Sequence, residues 1–172
     1  MKKTVKLVYI ALMTAAALIL SYVESLIPFD FGIAGIKLGL ANAATVTVLY
    51  LFDAKTAACV SASRILLSSL LFGTWVSLIY SAVGGAVSFF GMLLFKNTNK
   101  FGIIGVSAVG GVMHNVGQVL TAVCILETIR LTYYIPILVI SGVLTGVIIG
   151  FISGLLIKRL PNVAMRNYKL KI

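Results

Sequence analysis

IPILVISGVLTGVIIGFISGLLI, residues 135–157, runs without a single charged side chain. The hydrocarbon core of a bilayer, about 30 Å thick, takes about 20 apolar residues of helix to cross, so this stretch predicts a transmembrane helix. It is also patterned. Gly142, Gly146, Gly150 and Gly154 recur at a spacing of four, which sets them on one helix face. Small residues on one face let a neighbouring backbone come close, and the stripe predicts a packing face within the protein.

Working outward, the same reading finds apolar runs at 8–27, 38–51, 54–72, 75–95 and 101–126. Pro28, Asp30, Gly32 and Gly35 break the chain after the first, Asp53 after the second, and Gly73-Thr74 after the third. A polar connection at 96–100 and a loop at 127–134 separate the rest. The first run is too long to be a cleaved signal peptide and lacks a small-residue cleavage site. The second is short for a full span and could be re-entrant. With 60% hydrophobic and 10% charged residues, the chain is far more apolar than a soluble domain, which averages about 45–50% and about 25%. A protein this small cannot hide that surplus in one core, so it faces lipid. The expectation is an all-α membrane protein, one compact bundle of about six transmembrane helices. A single membrane domain, residues 1–172, ends in a basic tail at 158–172.

The net charge of +10 does not form a nucleic-acid-binding face. Basic residues punctuate the apolar runs instead. Assigning alternate connections to one side collects Lys2, Lys3, Lys6, Lys55, Lys96, Lys100, Lys158, Arg159, Arg166, Lys169 and Lys171, which is eleven of the 14. Lys37 and Arg130 fall on the other side, and Arg64 lies inside the third run. Basic residues favour the cytoplasmic side of a membrane, so both termini are expected there, in a multi-pass protein of the cell membrane. The tail would then meet anionic lipid headgroups.

Several polar side chains stand where lipid would exclude them. Arg64 sits mid-span, at an insertion cost of roughly 2.5–3.5 kcal/mol, so it is either a structural partner for a carboxylate or helix end, or part of a ligand site. His114, Asn115 and Gln118 cluster in the fifth run, with His114 and Gln118 sharing a face. These are either helix-to-helix hydrogen bonds or a substrate site. Glu24 ends the first run, Lys37 and Asn42 open the second, and all lie on the outer side of the assigned topology. Such asymmetry points to an outward-open pocket rather than a pore, which would be polar throughout. Arg64, where Glu24 leaves it unpaired, favours an anionic substrate group. Trp75 and Tyr80 begin the fourth run and read as interfacial aromatic anchors. Ala11 and Ala15 make a small-residue stripe on the inner half of the first helix, suited to internal packing or to another protein. Cys59 and Cys124, far apart and without metal spacing, read as buried small hydrophobes. No nucleotide-binding G-x-x-x-x-G-K-[ST], no D-D-x-x-D diphosphate box and no hydrolase motif occurs, and four acidic residues are too few for a magnesium-diphosphate site. Neither catalysis by this chain nor a cofactor or metal is expected.

Glu24, Pro28, the run Lys37-Leu-Gly-Leu-Ala-Asn42, Arg64, Gly84-Gly85, His114-Asn-Val-Gly-Gln118, Pro136 and Thr145-Gly146 together resemble the Gx transporter family, whose members are often labelled heptaprenyl diphosphate synthase component I. The resemblance covers about residues 5–160. That family is similar in size and topology to the substrate-binding S components of energy-coupling-factor transporters. The resemblance implies a six-helix subunit that binds a small molecule near the outer face, flavin- or isoprenoid-related compounds being the candidates. Arg64, His114, Asn115 and Gln118 would form the pocket floor, with Asn42, Lys37 and Glu24 nearer its mouth and the loop 28–36 over the ligand. Ala11 and Ala15 would dock on a transmembrane coupling protein driven by separate ATPases. The family label implies instead a membrane accessory subunit of a prenyl diphosphate synthase.

Overall fold

The computed structural model describes residues 3–26 and 39–159. Among these it holds helices α1 (Lys3–Leu26), α2 (Asn42–Leu51), α3 (Ala54–Phe72), α4 (Trp75–Asn97), α5 (Ile103–Leu126) and α6 (Ile135–Arg159), with a 3-10 segment Ile129–Tyr134 between the last two. Five of the six are long and apolar enough to cross a membrane. Large apolar side chains such as Leu12, Ile19, Leu70, Phe90, Ile140 and Phe151 point outward, the reverse of a soluble protein, as lipid-facing surfaces require.

The expected boundaries of α3 agree with the structure, while α1 begins at Lys3, ahead of the apolar run that starts at 8. Local chemistry sets the junctions. Asp53 caps α3 by accepting from the Thr56 amide at 2.8 Å, and Thr74 caps α4 by accepting from Ser77 at 3.2 Å. Both satisfy amides that the first helical turn leaves open. Glu127, at φ 48°, ends α5 in the left-handed conformation.

The second run, 38–51, is short for a full span, and the helix in it is shorter still, beginning only at Asn42. Gly39 at φ +82° turns the chain, and the Asn42 and Ala43 amides bond back to the Gly39 and Leu40 carbonyls at 2.9 and 3.1 Å. Only glycine enters that conformation without steric cost. The remaining 10 residues reach about 15 Å, half a bilayer core. Every one of them is buried, and α2 packs against α1, α3, α5 and α6. It is a half-length helix in the middle of the bundle.

Contacts at its C-terminal end show which helix ends lie together. Lys6 of α1 pairs with Asp53 at 2.8 Å, and Lys96 of α4 donates to the Leu49 carbonyl. Phe95 packs on Phe101, and Ile157 shares an apolar cluster with Leu51, Met92 and Val106. The start of α1 and the end of α6 therefore sit at one end of the molecule. At the other end Tyr22 packs on Phe72, and Tyr80, Val119, Ala122 and Leu138 form a second apolar cluster.

Asp53 makes one consequence measurable. The Lys6 hydrogen bond, aided by the Thr56 amide and hydroxyl, holds its carboxyl at about 2. A lowered folded pKa contributes stability above the unfolded value near ~3.9, lost as pH falls through about 2. Unfolding in detergent between pH 5 and 2 should therefore show a steeper loss for the native protein than for Asp53→Asn; equal slopes would remove the pair from the stability account. The effect is small, since both side chains are partly exposed.

Candidate functional site

Where α2 begins, three other helices bring polar side chains to the same place, and α4 brings a glycine. Arg64, mid-way along α3 and 3% exposed, donates from Nη2 to Asn42 Oδ1 at 2.9 Å. Glu24, near the end of α1, accepts from the Gly39 amide through Oε1, and its carboxylate acts electrostatically on the Arg64 guanidinium. The His114 ring of α5 lies between two glycines. A Cβ on Gly39 would meet His114 Cδ2 at 3.1 Å, and one on Gly84 of α4 would meet His114 Nδ1 at 3.2 Å and Gln118 Cγ at 2.8 Å. Glu24, Asn42, Arg64, His114 and Gln118 are all buried.

The geometry follows from the chain's local rules. His114 and Gln118, four apart, present to α4 on one face of α5, and Gly84 gives them room. Asn42 reaches Arg64 because α2 starts in mid-bundle. Gly39 serves twice, supplying an amide to Glu24 and leaving space beside His114. Neither glycine was singled out by the sequence reading as part of a site. The signal available was Gly39 inside the run Lys37-Leu-Gly-Leu-Ala-Asn42, and Gly84 in its glycine pair.

Of the expected site residues, the structure brings together Glu24, Asn42, Arg64, His114 and Gln118. Asn115 is also buried, but its Nδ2 donates to the Leu138 carbonyl at 2.7 Å, tying α5 to α6. Lys37 and the loop 28–36 lie outside the described residues, as do Arg166, Lys169 and Lys171 of the tail. Tyr80, 2% exposed, is core and not an interfacial anchor, whereas Trp75 at 78% is turned outward as expected. The two cysteines are exposed on α3 and α5, not buried, because the outer face of a membrane helix is itself apolar. Ala11 and Ala15 are exposed on α1, while Ala17 is buried.

Among the described residues, two buried polar atoms here have no protein partner: Arg64 Nε and Asn115 Oδ1. Buried hydrogen-bonding groups are rarely left so, and exceptions concentrate where a ligand or water belongs. Among the described residues no three His, Cys, Asp or Glu side chains are placed to hold a metal ion. A separate cavity of about 210 Å³, at the α3–α4 turn, is lined by Ser69, Leu70, Gly73, Thr74, Trp75 and Leu78 and shares no residue with the Arg64 group.

Neither the curated proteins nor the solved structures contain a match to this chain. The family model described as heptaprenyl diphosphate synthase component I matches residues 13–156, which takes in α2 to α5 whole, most of α1 and α6, and every residue of the buried polar group. On that match, the chain belongs to the heptaprenyl diphosphate synthase component I family.

Proposed function

We propose that this chain is the substrate-binding membrane subunit of an uptake system, energised by a separate ATPase module. One observation carries the reading: a half-length helix begins in mid-bundle against a buried group of Glu24, Asn42, Arg64, His114 and Gln118. Irregular backbone at membrane depth is tolerated where protein buries it or a cavity needs it, and transporters bind their substrates at such interrupted helices. Polar and charged side chains in a span cost enough that a plain structural bundle has little reason to keep five together. The basic-residue bias favours the cytoplasmic side for the end carrying Lys6 and Ile157, and Ala11 and Ala15 would then lie on the half of α1 nearer the ATPases. Their exposure suits a coupling protein that needs close backbone approach.

The test is to purify the full chain from its native membrane in mild detergent and identify retained small molecules by mass spectrometry. A compound should accompany the native protein and be lost from His114→Ala. Ala15→Trp should keep the compound and lose co-purifying coupling protein and ATPase subunits. Recovery of no compound under any condition would overturn the reading. The family description favours a second one, a membrane accessory subunit of heptaprenyl diphosphate synthase. Under it, the same purification would bring down a soluble prenyl synthase chain, and Ala15→Trp would release that instead.

A further inference from the structure

Two short stripes face each other where α3 meets α4, at the end of the molecule opposite Lys6. Ile65 and Ser69 lie four apart on α3, and Ser77, Ser81 and Gly85 lie four apart on α4, so each set shares a helix face. All five residues are buried, and a Cβ on Gly85 would meet Ile65 Cδ1 at 2.7 Å. Small residues on facing helices let backbones approach closely. The glycines of α6 do this, since Cβ atoms at Gly142, Gly146 and Gly150 would meet the backbone of α5. Gly85 differs. Among the described residues its Cβ would meet the Ile65 side chain alone within 4 Å, so a side chain and not backbone fills the space between α3 and α4 here.

Two further observations separate this gap from ordinary packing. Ser69 Oγ and Ser77 Oγ, on residues 8% and 6% exposed, have no hydrogen-bond partner, and buried hydroxyls are seldom left so. The cavity of about 210 Å³ at the α3–α4 turn, with Ser69 in its wall, lies at the outer end of the same gap. It far exceeds the about 10–15 Å³ that admits one water. Inward from it come the serines, then Ile65 against Gly85. Gly84, beside Gly85, borders His114 and Gln118. The Ile65 side chain thus stands between the cavity and the Arg64 group.

We propose, on the reading of the Arg64 group as a binding site, that the gap between α3 and α4 is an entrance to it, with the cavity as its mouth and the Ile65 side chain as its gate. The molecule it admits is small and bears hydroxyl or carbonyl groups, which the Ser69, Ser77 and Ser81 hydroxyls meet in turn because each can donate and accept. The tip that fills the gap is Cδ1, which a change of rotamer carries aside without moving either helix.

The experiment uses the full chain in detergent micelles with its exposed cysteines removed as Cys59→Ser and Cys124→Ser. The probe is hydroxyethyl methanethiosulfonate, and the mass of the intact protein follows its attachment. Ser81→Cys lies in the gap, and Val119→Cys, equally buried, lies in the apolar cluster of α4 to α6. A thiol reacts as its thiolate, which forms where water enters, so Ser81→Cys should be labelled at least about tenfold faster than Val119→Cys. Adding Ile65→Ala should raise the Ser81→Cys rate and leave the Val119→Cys rate in place. Equal rates at the two positions, or a Ser81→Cys rate indifferent to Ile65→Ala, would overturn the proposal. Ser77→Cys, one turn nearer the mouth, takes the place of Ser81→Cys if that variant fails to fold. Fast labelling in a protein that retains no compound on purification would sink the uptake reading and leave the polar route standing. A retained compound with Ser81→Cys unlabelled would do the opposite.

Discussion

Arg64→Met should destabilise the protein by about 1–3 kcal/mol, the usual cost of leaving a buried hydrogen-bond partner unsatisfied. Methionine keeps much of the length and loses the charge, leaving the buried Glu24 carboxylate without the guanidinium that acts on it and Asn42 without its donor. Glu24→Gln alone should also be costly, since the guanidinium then stands uncompensated. The double variant Glu24→Gln/Arg64→Met removes both charges together and should recover a large part of the loss. Unfolding in detergent across the four proteins of the cycle gives the coupling, expected at 0.5–3 kcal/mol, roughly, for residues of one network. Simple additivity would mean that the two charges do not sense each other across the buried group. The same variants separate stability from binding. Arg64→Met/Glu24→Gln can be folded and still lack the guanidinium that a ligand would meet.

Much of this arrangement is readable from residue order, and the part that is not has a definable cause. The five long helices follow from apolar run length, and their same-ended arrangement from the alternation of lysines and arginines. That Arg64, His114 and Gln118 belong together follows from the cost of placing each in lipid, which forces them inward and toward one another. The half-helix is different. Residues 38–51 are apolar from end to end apart from Asn42, Thr45 and Thr47, and hydropathy cannot separate a lipid-facing helix from one surrounded by protein. What decides it is a single backbone angle at Gly39, invisible to composition. The Glu24 contact is hidden for the same reason, because its partner is a backbone amide and not a complementary side chain. Asn115 divides between the two readings the sequence leaves open: neighbouring helix positions point about 100° apart, so its Nδ2 reaches the Leu138 carbonyl of α6, while its Oδ1 has no partner among the described residues. Tyr80 and the cysteines were misplaced because an apolar span offers no sequence signal for which of its faces meets protein.

The glycine stripe of α6 makes the sharpest contrast available in a single helix. A methyl group at Gly146 would lie 2.6 Å from Ala108 Cα and 2.7 Å from the Ser107 carbonyl, both backbone atoms of α5 that cannot swing aside. At Gly154, two turns on and on the same stripe, nothing lies within 4 Å. Helix propensity treats the two positions alike and favours alanine at both by up to about 1 kcal/mol. Packing separates them. Gly146→Ala must push α5 and α6 apart and should cost about 1–3 kcal/mol net, while Gly154→Ala should be neutral or slightly stabilising. The displacement would not stay local. Ser107, against which Gly146 and Gly150 pack, lies two helical turns before His114, and Asn115 ties the same two helices at Leu138. Gly146→Ala should therefore also weaken ligand retention without touching a site residue, which Gly154→Ala should not. Thermal unfolding of the two variants in detergent, with retention of the co-purified molecule, tests both halves. Equal behaviour of the pair would mean that α5 and α6 are not held at backbone contact, and that the close face predicted from 135–157 does not position the site.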